Sequence, residues 1–506
     1  MNENSSGPVR ESVPFTSSLP NGFNATRMAL IILGIATAIR LWDALRIGVI
    51  GDEAYYWLWS KHLALSYRDK GPLVAWVIAL ATKLFGDNAF GIRIAALLFS
   101  AGTGWQLFVL ARRLYDERIA LWTLAISCVL PMFVVGSVLM TIDPLSVFFW
   151  AWAANVFWSA LHDPKLWRWS ALGFIIGLGF LAKFTNGLQL GCVALFLLWS
   201  KPHRRLFISP QSIAMCFAFV VAILPVIIWN YQTGWIHYSA LHSRSGVETA
   251  SESGVETSFQ IRPEELLQFL AGQLGVLSPL VAIGVTVATI GMWITHRRDT
   301  RVQFLLSLFL PVAGIFLFFS LNKAGKENWP APALITGLIF TVVYWKEVVE
   351  RAPRWRWVVR VALIIPVVMS VGLHVLEFLP LPGKFDPMRR ARGWLDFATH
   401  VQQAREKHQA TLLVGSHYTQ ASMMTYYLPD RPTTYLSKGT YGKNQFSLWP
   451  TYDPSHTRAL YVSQNSRPPP AALKRDFPTY ELVDDFWTKH QGRDMTRFYI
   501  WLCTRP

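Results

Sequence analysis

The chain has 506 residues, 52% of them hydrophobic and only 15% charged. Soluble domains carry about 25% charged residues, so this composition excludes an ordinary water-soluble protein and points to a membrane. The net charge of +16 would suit a nucleic-acid partner in a soluble protein. Here the basic residues sit mostly in short loops between apolar runs, where they set topology, and no nucleic-acid partner is expected.

Residues 1–27 are rich in Ser, Asn, Pro and Gly and lack a signal-peptide cleavage pattern, so they read as a disordered cytoplasmic lead-in. A bilayer-spanning helix needs roughly 20 mostly apolar residues. Such runs lie near 28–49, 88–111, 119–138, 144–161, 170–182, 184–200, 209–229, 266–295, 302–320, 330–346 and 357–378. The apolar run 72–85 is short and followed by Gly86-Asp87-Asn88. Basic clusters at Arg112/Arg113/Arg118, Lys201/Arg204/Arg205, Arg297/Arg298/Arg301 and Lys346/Arg351/Arg354/Arg356 fall on one side only if 72–85 lies in the interface. The positive-inside rule therefore predicts about eleven transmembrane helices with external juxtamembrane helices, the N-terminus inside and the C-terminus outside.

The loop 230–265 is external in this topology, Ser/Gly-rich, and suited to a lid or acceptor-binding role. After Leu379-Pro380-Leu381-Pro382-Gly383 the composition becomes that of a soluble domain. Strand-like runs occur at 411–415, 433–436, 459–463 and 497–502, with helical patterns at 389–407 and 418–428. The chain thus divides into the lead-in 1–27, a transmembrane domain over 28–380 and a small α/β external domain over 385–506, long enough for its own core.

Cys128, Cys192, Cys216 and Cys503 show no paired spacing, and His62, His237, His242 and His417 no metal-ligand spacing. Neither a disulfide framework nor a metal site is supported. No Walker loop or dinucleotide fingerprint is present, which argues against an ATP-driven pump.

The predicted topology gathers Asp52, Glu53, Arg68, Lys70, Asp143, Lys183, Asn186, Lys323 and Lys326 on the outer face. Ionisable residues at membrane depth are costly and often functional. Asp52-Glu53 could simply complement a helix dipole. Tyr55, Tyr56, Trp57 and Trp59 beside them read as an interfacial aromatic belt, which favours a general base at the membrane edge. Arg68 and Lys70, before Gly71-Pro72, could snorkel to headgroups or hold a phosphate leaving group. Asp143, before Pro144, suits an N-cap, and equally an acceptor-binding role. Lys183 lies between two half-length apolar runs, where a bound anion would offset its burial. Lys323 and Lys326 repeat the pattern of cations beside Trp329 and Pro330. Arg40 and Asp43, three residues apart in the first span, suggest a local ion pair, and Arg93 an interfacial or phosphate-reaching cation.

The set Asp52-Glu53-Ala54-Tyr55-Tyr56-Trp57, Lys70-Gly71-Pro72-Leu73, Asp143-Pro144, Gly177-Leu178-Gly179-Phe180-Leu181-Ala182-Lys183 and Asn328-Trp329-Pro330-Ala331-Pro332-Ala333 resembles the bacterial branch of the glycosyltransferase C superfamily. That branch is related to protein O-mannosyltransferases and to the lipid A aminoarabinose transferase. The resemblance covers about residues 28–380. It implies an inverting transferase that takes a sugar from a polyprenyl phosphate on the extracytoplasmic face, with no cofactor and no metal. It implies Asp52 as the base that activates the acceptor hydroxyl, with Glu53 and Asp143 orienting base or acceptor. Lys70 would bind donor phosphate, helped by Lys183, and Arg68 and Lys326 are further candidates. Tyr55 and Tyr56 are candidates for the acceptor side. Relatives often have His-Pro-Pro or Lys-Pro where this chain has Lys70-Gly71-Pro72.

The expected partners are a polyprenyl-phosphate sugar donor, a lipid or glycan acceptor and the bilayer. Lipid A, lipopolysaccharide core or another envelope glycan is the expected acceptor, at the periplasmic face of a bacterial inner membrane. A protein hydroxyl is the second acceptor. The reading from a different class is a transporter or flippase of polyprenyl-linked sugar, which would place charged, broken helices near the bilayer midplane rather than at one face.

Overall fold

The computed structural model describes residues 24–237, 260–376, 378, 386, 388–437 and 444–505. Most of the expected lead-in (1–23), most of the loop 230–265 (238–259) and most of the junction after Val375 lie outside the described residues.

The first half of the chain forms α1 (Ala25–Arg46), α2 (Gly51–Lys61), α3 (Leu73–Phe85), α4 (Ala89–Leu114), α5 (Glu117–Val129), α6 (Pro131–Val138), α7 (Ile142–His162), α8 (Leu166–Ala182), α9 (Leu188–Trp199), α10 (Pro210–Ala222) and α11 (Leu224–Gln232). Then come α12 (Pro263–Leu277), α13 (Pro279–His296), α14 (Thr300–Ser320), α15 (Leu334–Arg351) and α16 (Arg356–Val375). Polar caps mark many starts: Asn24, Asn88, Asp116, Thr141, Ser209 and Asp299 each accept a backbone N–H of the following turn.

Every expected span is helical. Among the described residues seven helices are long and apolar enough to cross a membrane, or nine if each bent pair is one span. The bent pairs, α5/α6 at 66° and α10/α11 at 51°, break where Pro131 and Pro225 occupy the first turn of the second helix and proline cannot donate into the preceding one. The remaining two expected spans, around α8 and α9, are shorter than 18 residues. The expected segment 266–295 divides at Ser278, which has φ 68° and precedes Pro279. Helix length alone therefore does not establish a count of eleven.

The C-terminal part contains α17 (Trp394–Lys407), β1 (Leu412–Gly415), α18 (Tyr418–Tyr427), β2 (Tyr435–Leu436), β3 (Arg458–Ser463), α19 (Ala471–Asp476), β4 (Thr479–His490) and β5 (Arg493–Thr504). The sheet runs β2-β1-β3-β5-β4, parallel among the first three strands and antiparallel beyond. β4 is a strand that the sequence pattern does not suggest. It lies at the sheet edge and is largely exposed and charged, which blunts an edge against further pairing and erases the alternation that marks a strand.

One continuous apolar core joins the two parts, running from Phe108, Phe157 and Phe304 through Trp57 and Trp59 to Met423, Phe397 and Phe498. A central contact between them is α18 on α2. Thr419 packs against Gly51 where a Cβ would collide, and the Tyr427 hydroxyl accepts the Val49 N–H at 3.0 Å.

Gly71 also has a structural reason. Tyr67 and Lys70 pair across a tight turn, and a Cβ on Gly71 would fall on the Leu181 carbonyl at the end of α8. The small residue lets the Lys70 turn lie against α8. Gly71→Ala is therefore expected to lower the thermal midpoint of the detergent-solubilised protein, because backbone must move to relieve the clash. An unchanged midpoint would show that this contact is not close in solution.

Candidate active site

α2 carries the first acid pair, and its two carboxylates have different surroundings. Glu53 is fully buried. Its Oε2 accepts the Ile50 N–H at 3.1 Å, closing the start of the helix, and its Oε1 accepts the Met140 N–H at 3.0 Å. Arg93 of α4 donates to both oxygens, at 2.7 and 2.5 Å, and its remaining donors reach the carbonyls of Ala44, Ile47 and Gly48. Every oxygen of Glu53 is thus committed, so it positions the loop and helix rather than transferring a proton. Arg93 is likewise not an interfacial cation but the buried partner of this acid.

Asp52 is half-buried and lines a cavity of about 860 Å³ between the membrane helices. Leu33, Leu107, Val135, Leu139, Val147 and Ile335 are among its apolar walls. Asp143, Lys326, Glu327, Asn328 and Arg390 join Asp52 in its polar lining near helix ends, while Arg40, Ser127 and Cys128 lie farther along α1 and α5. Tyr418 of the C-terminal domain donates its hydroxyl to Asp52 Oδ1 at 3.0 Å. Burial, and then the Asp52 carboxylate itself, push the Tyr418 phenol above its ordinary range. It therefore stays a proton donor throughout the physiological range.

Asp143 lies in the first turn of α7, which Thr141 caps. Its carboxylate accepts from Lys183 Nζ at 2.9 Å and from Asn328 Nδ2 at 2.5 Å. Lys183 is buried, and Asp143 supplies the counter-charge that a bound anion was expected to supply. The expected pairing of Arg40 with Asp43 is replaced by tertiary partners: Arg40 donates to the Cys128 carbonyl at 3.3 Å, and Asp43 pairs with His374 of α16.

The structure thus brings Asp52, Asp143 and Lys326 to one cavity, with Lys183 attached through Asp143. Lys70 and Arg68 sit in the adjoining turn but do not line it. Arg68 turns toward the C-terminal domain, its N–H donating to Gln445 and its guanidinium to Ser447. The aromatic belt is not lipid-facing. Tyr55, Tyr56, Trp57 and Trp59 are all buried. The Tyr55 hydroxyl accepts the Gln445 N–H at 2.7 Å, and its ring lies against Tyr418 and Phe446. Tyr418 and Arg390 are the residues that reading the sequence missed. They lie more than 300 positions from Asp52, in a domain with no motif of its own, and no local signal marks them.

With this geometry in view, a family model described as dolichyl-phosphate-mannose-protein mannosyltransferase matches residues 69–229. The lipid A galacturonosyltransferase RgtD of Rhizobium johnstonii is 27% identical over 75% of this chain and 77% of its own length. An undecaprenyl phosphate-alpha-4-amino-4-deoxy-L-arabinose arabinosyl transferase of Pseudomonas fluorescens is 26% identical over 58% of this chain and 54% of its own. The crystal structure of ArnT from Cupriavidus metallidurans bound to undecaprenyl phosphate superposes with a TM-score of 0.63 and 14% identity, over 94% of this chain and 98% of that one. The chain is thus similar in sequence to polyprenyl-phosphate-dependent sugar transferases and contains a segment of that family's type. Its fold is ArnT-like, a multi-span membrane part with a small C-terminal sheet domain.

The buried pair sets a clear stability test. Glu53→Gln leaves Arg93 charged and uncompensated, a change that costs about 3–5 kcal/mol. The single variant is expected to unfold at markedly lower temperature in detergent. Glu53→Gln combined with Arg93→Met should recover part of the loss. A double variant no better than the single one would place the energy in the carbonyl contacts of Arg93 instead.

Proposed function

We propose that the chain is an inverting glycosyltransferase that moves a sugar from a polyprenyl phosphate to lipid A or a related envelope glycan at the periplasmic face of a bacterial inner membrane. The observation that carries this reading is the cavity: an apolar chamber fit for a prenyl or acyl chain, with Asp52 at its polar end beside Asp143, whose carboxylate is already bound to Lys183 and Asn328. The relatives support the donor and acceptor classes.

In this reading Asp52 takes the proton of the acceptor hydroxyl as that oxygen bonds to the anomeric carbon. The bond from that carbon to the phosphate oxygen breaks on the opposite face, and the polyprenyl phosphate leaves with the electron pair. Tyr418 occupies Oδ1 of Asp52, which orients the carboxylate and directs Oδ2 to the acceptor. The leaving phosphate needs positive charge in a low-dielectric site. Lys326 and Arg390 line the same cavity, and Lys70 lies in the adjoining turn. Lys183, already bound to Asp143, reaches phosphate only by exchanging partners.

For the sugar, the finer reading is an acidic hexose. The galacturonosyltransferase matches most of both chains, whereas the aminoarabinose transferase matches little more than half of each. Lys326 and Arg390 also suit a sugar carboxylate better than an amino group.

Asp52→Asn is expected to lower transfer to lipid A by about 10²–10⁴-fold, the usual contribution of a positioned base. Mass spectrometry of lipid A from membranes given polyprenyl-phosphate sugar reads the result, and the mass increment names the sugar. Unchanged transfer at equal expression would remove Asp52 as the base. Tyr418→Phe should lower kcat more than it changes KM for donor, because it disturbs the base and not the lipid chamber. An equal loss in Asp52→Asn and in Tyr418→Phe/Asp52→Asn would show that the two act as one unit.

A further inference from the structure

A second cavity, of about 530 Å³, lies between α2 and the C-terminal domain. Lys61 is nine residues after Asp52, half a turn round the helix and roughly 13 Å along it. This cavity therefore opens on the side of α2 away from the base, and none of its lining is shared with the Asp52 cavity.

Its lining combines two chemistries. Asp87 accepts from Trp57 Nε1 at 2.5 Å, from Lys61 Nζ at 2.8 Å and from Arg431 at 2.6 Å. Both cations also lie over the Trp57 ring, 5.3 and 5.2 Å from its centre. One carboxylate faces two permanent cations, and both keep about a third or more of their side chains exposed to solvent. His62, Phe446 and Trp449 also line it as an aromatic surface, with Trp449 edge-on to Phe446 at 5.0 Å and tilted on His62 at 5.1 Å.

We propose that this cavity is a carbohydrate-binding subsite for a sugar bearing an anionic group, a phosphate or a carboxylate. Rings present flat faces to the C–H face of a pyranose, and Lys61 and Arg431, which share the single carboxylate of Asp87, take the anion through charge-assisted hydrogen bonds. A clamp between domains would explain the contacts of Asp87. It would not explain an aromatic-walled space of this volume beyond them, or the excess cation. Burial opposes charge on Asp87, but the donors from Lys61 and Trp57 hold its carboxyl below the ordinary range. The clamp thus stays ionised and the local excess remains one positive charge. An anionic sugar of the acceptor glycan and the headgroup of a glycolipid share this chemistry.

Binding is read without any transfer step, so failure here and failure of the proposed reaction are distinguishable. Saturation-transfer NMR on the full-length protein in detergent would compare glucosamine 1-phosphate, galacturonic acid and glucose, with inorganic phosphate titrated in as a competitor. The two anionic sugars are expected to bind more tightly than glucose and more tightly than phosphate alone. Trp449→Ala, which leaves the Asp87 contacts intact, and Lys61→Gln should each weaken them by roughly tenfold or more, with each variant still showing a cooperative thermal transition. Glucosamine 1-phosphate in competition with a vesicle-borne phosphorylated glycolipid or with soluble acceptor glycan separates the two sources. Equal binding of inorganic phosphate and sugar phosphate, binding unaffected by Trp449→Ala, or no binding of either anionic sugar would each overturn the proposal.

Discussion

The buried Glu53–Arg93 pair is the constraint on which the rest of the site depends. Through it α2 is tied to α4, to the last carbonyls after α1 and to the chain entering α7. An ion pair in a dry interior repays desolvation only when its remaining donors and acceptors are also satisfied. Here Glu53 takes two backbone N–H groups and Arg93 three carbonyls. These bonds fix the turn into α2, so Asp52, one residue earlier, is held on a rigid helix start. Adjacent acids thus divide the work: one is spent on geometry, and that leaves the other its place at the cavity.

The second constraint is the docking of the C-terminal domain on the same helix. Gly51 admits Thr419, Tyr427 holds Val49, and Tyr418 reaches Asp52. The Tyr55, Trp57 and Trp59 rings that could have faced lipid instead fill the seam, where rings bury large area and stack in tilted and edge-on pairs. Any movement of this domain relative to α2 would therefore change the environment of Asp52 directly. The C-terminal domain belongs to the candidate site, and its effect on Asp52 is local rather than transmitted.

Much of this was legible from residues. Apolar runs located the membrane helices because spanning demands length and internal hydrogen bonding whatever the tertiary contacts, and the Asp52-Glu53 and Asp143-Pro144 signals led to helix starts that meet at one cavity. What was not legible followed from distance and saturation. Nothing local says that Glu53 would be consumed by Arg93, that Asp43 would leave Arg40 for His374, or that Lys183 would find Asp143 across two helices. A lone buried lysine in sequence looks like an anion site, and its partner appears only in three dimensions. β4 escaped for the opposite reason, since its first four residues are all exposed and only Phe486 and Thr488 farther along are buried.

The charges therefore sort into two kinds, and the sorting bears on chemistry. Glu53–Arg93 and Asp143–Lys183 are pairs whose members neutralise each other in the resting protein. Among the described residues Lys326 and Arg390 stand in no ion pair and line the cavity with Asp52. A transition state that develops negative charge on a departing phosphate is stabilised by cations whose charge is not already spent, because a paired cation must first give up its partner in a medium where that separation is costly. In the proposed reaction the paired residues would hold the frame and the unpaired ones would meet the substrate. Lys183 joins that second group only if a substrate draws Asp143 toward itself, as an acceptor hydroxyl bound to that carboxylate would do.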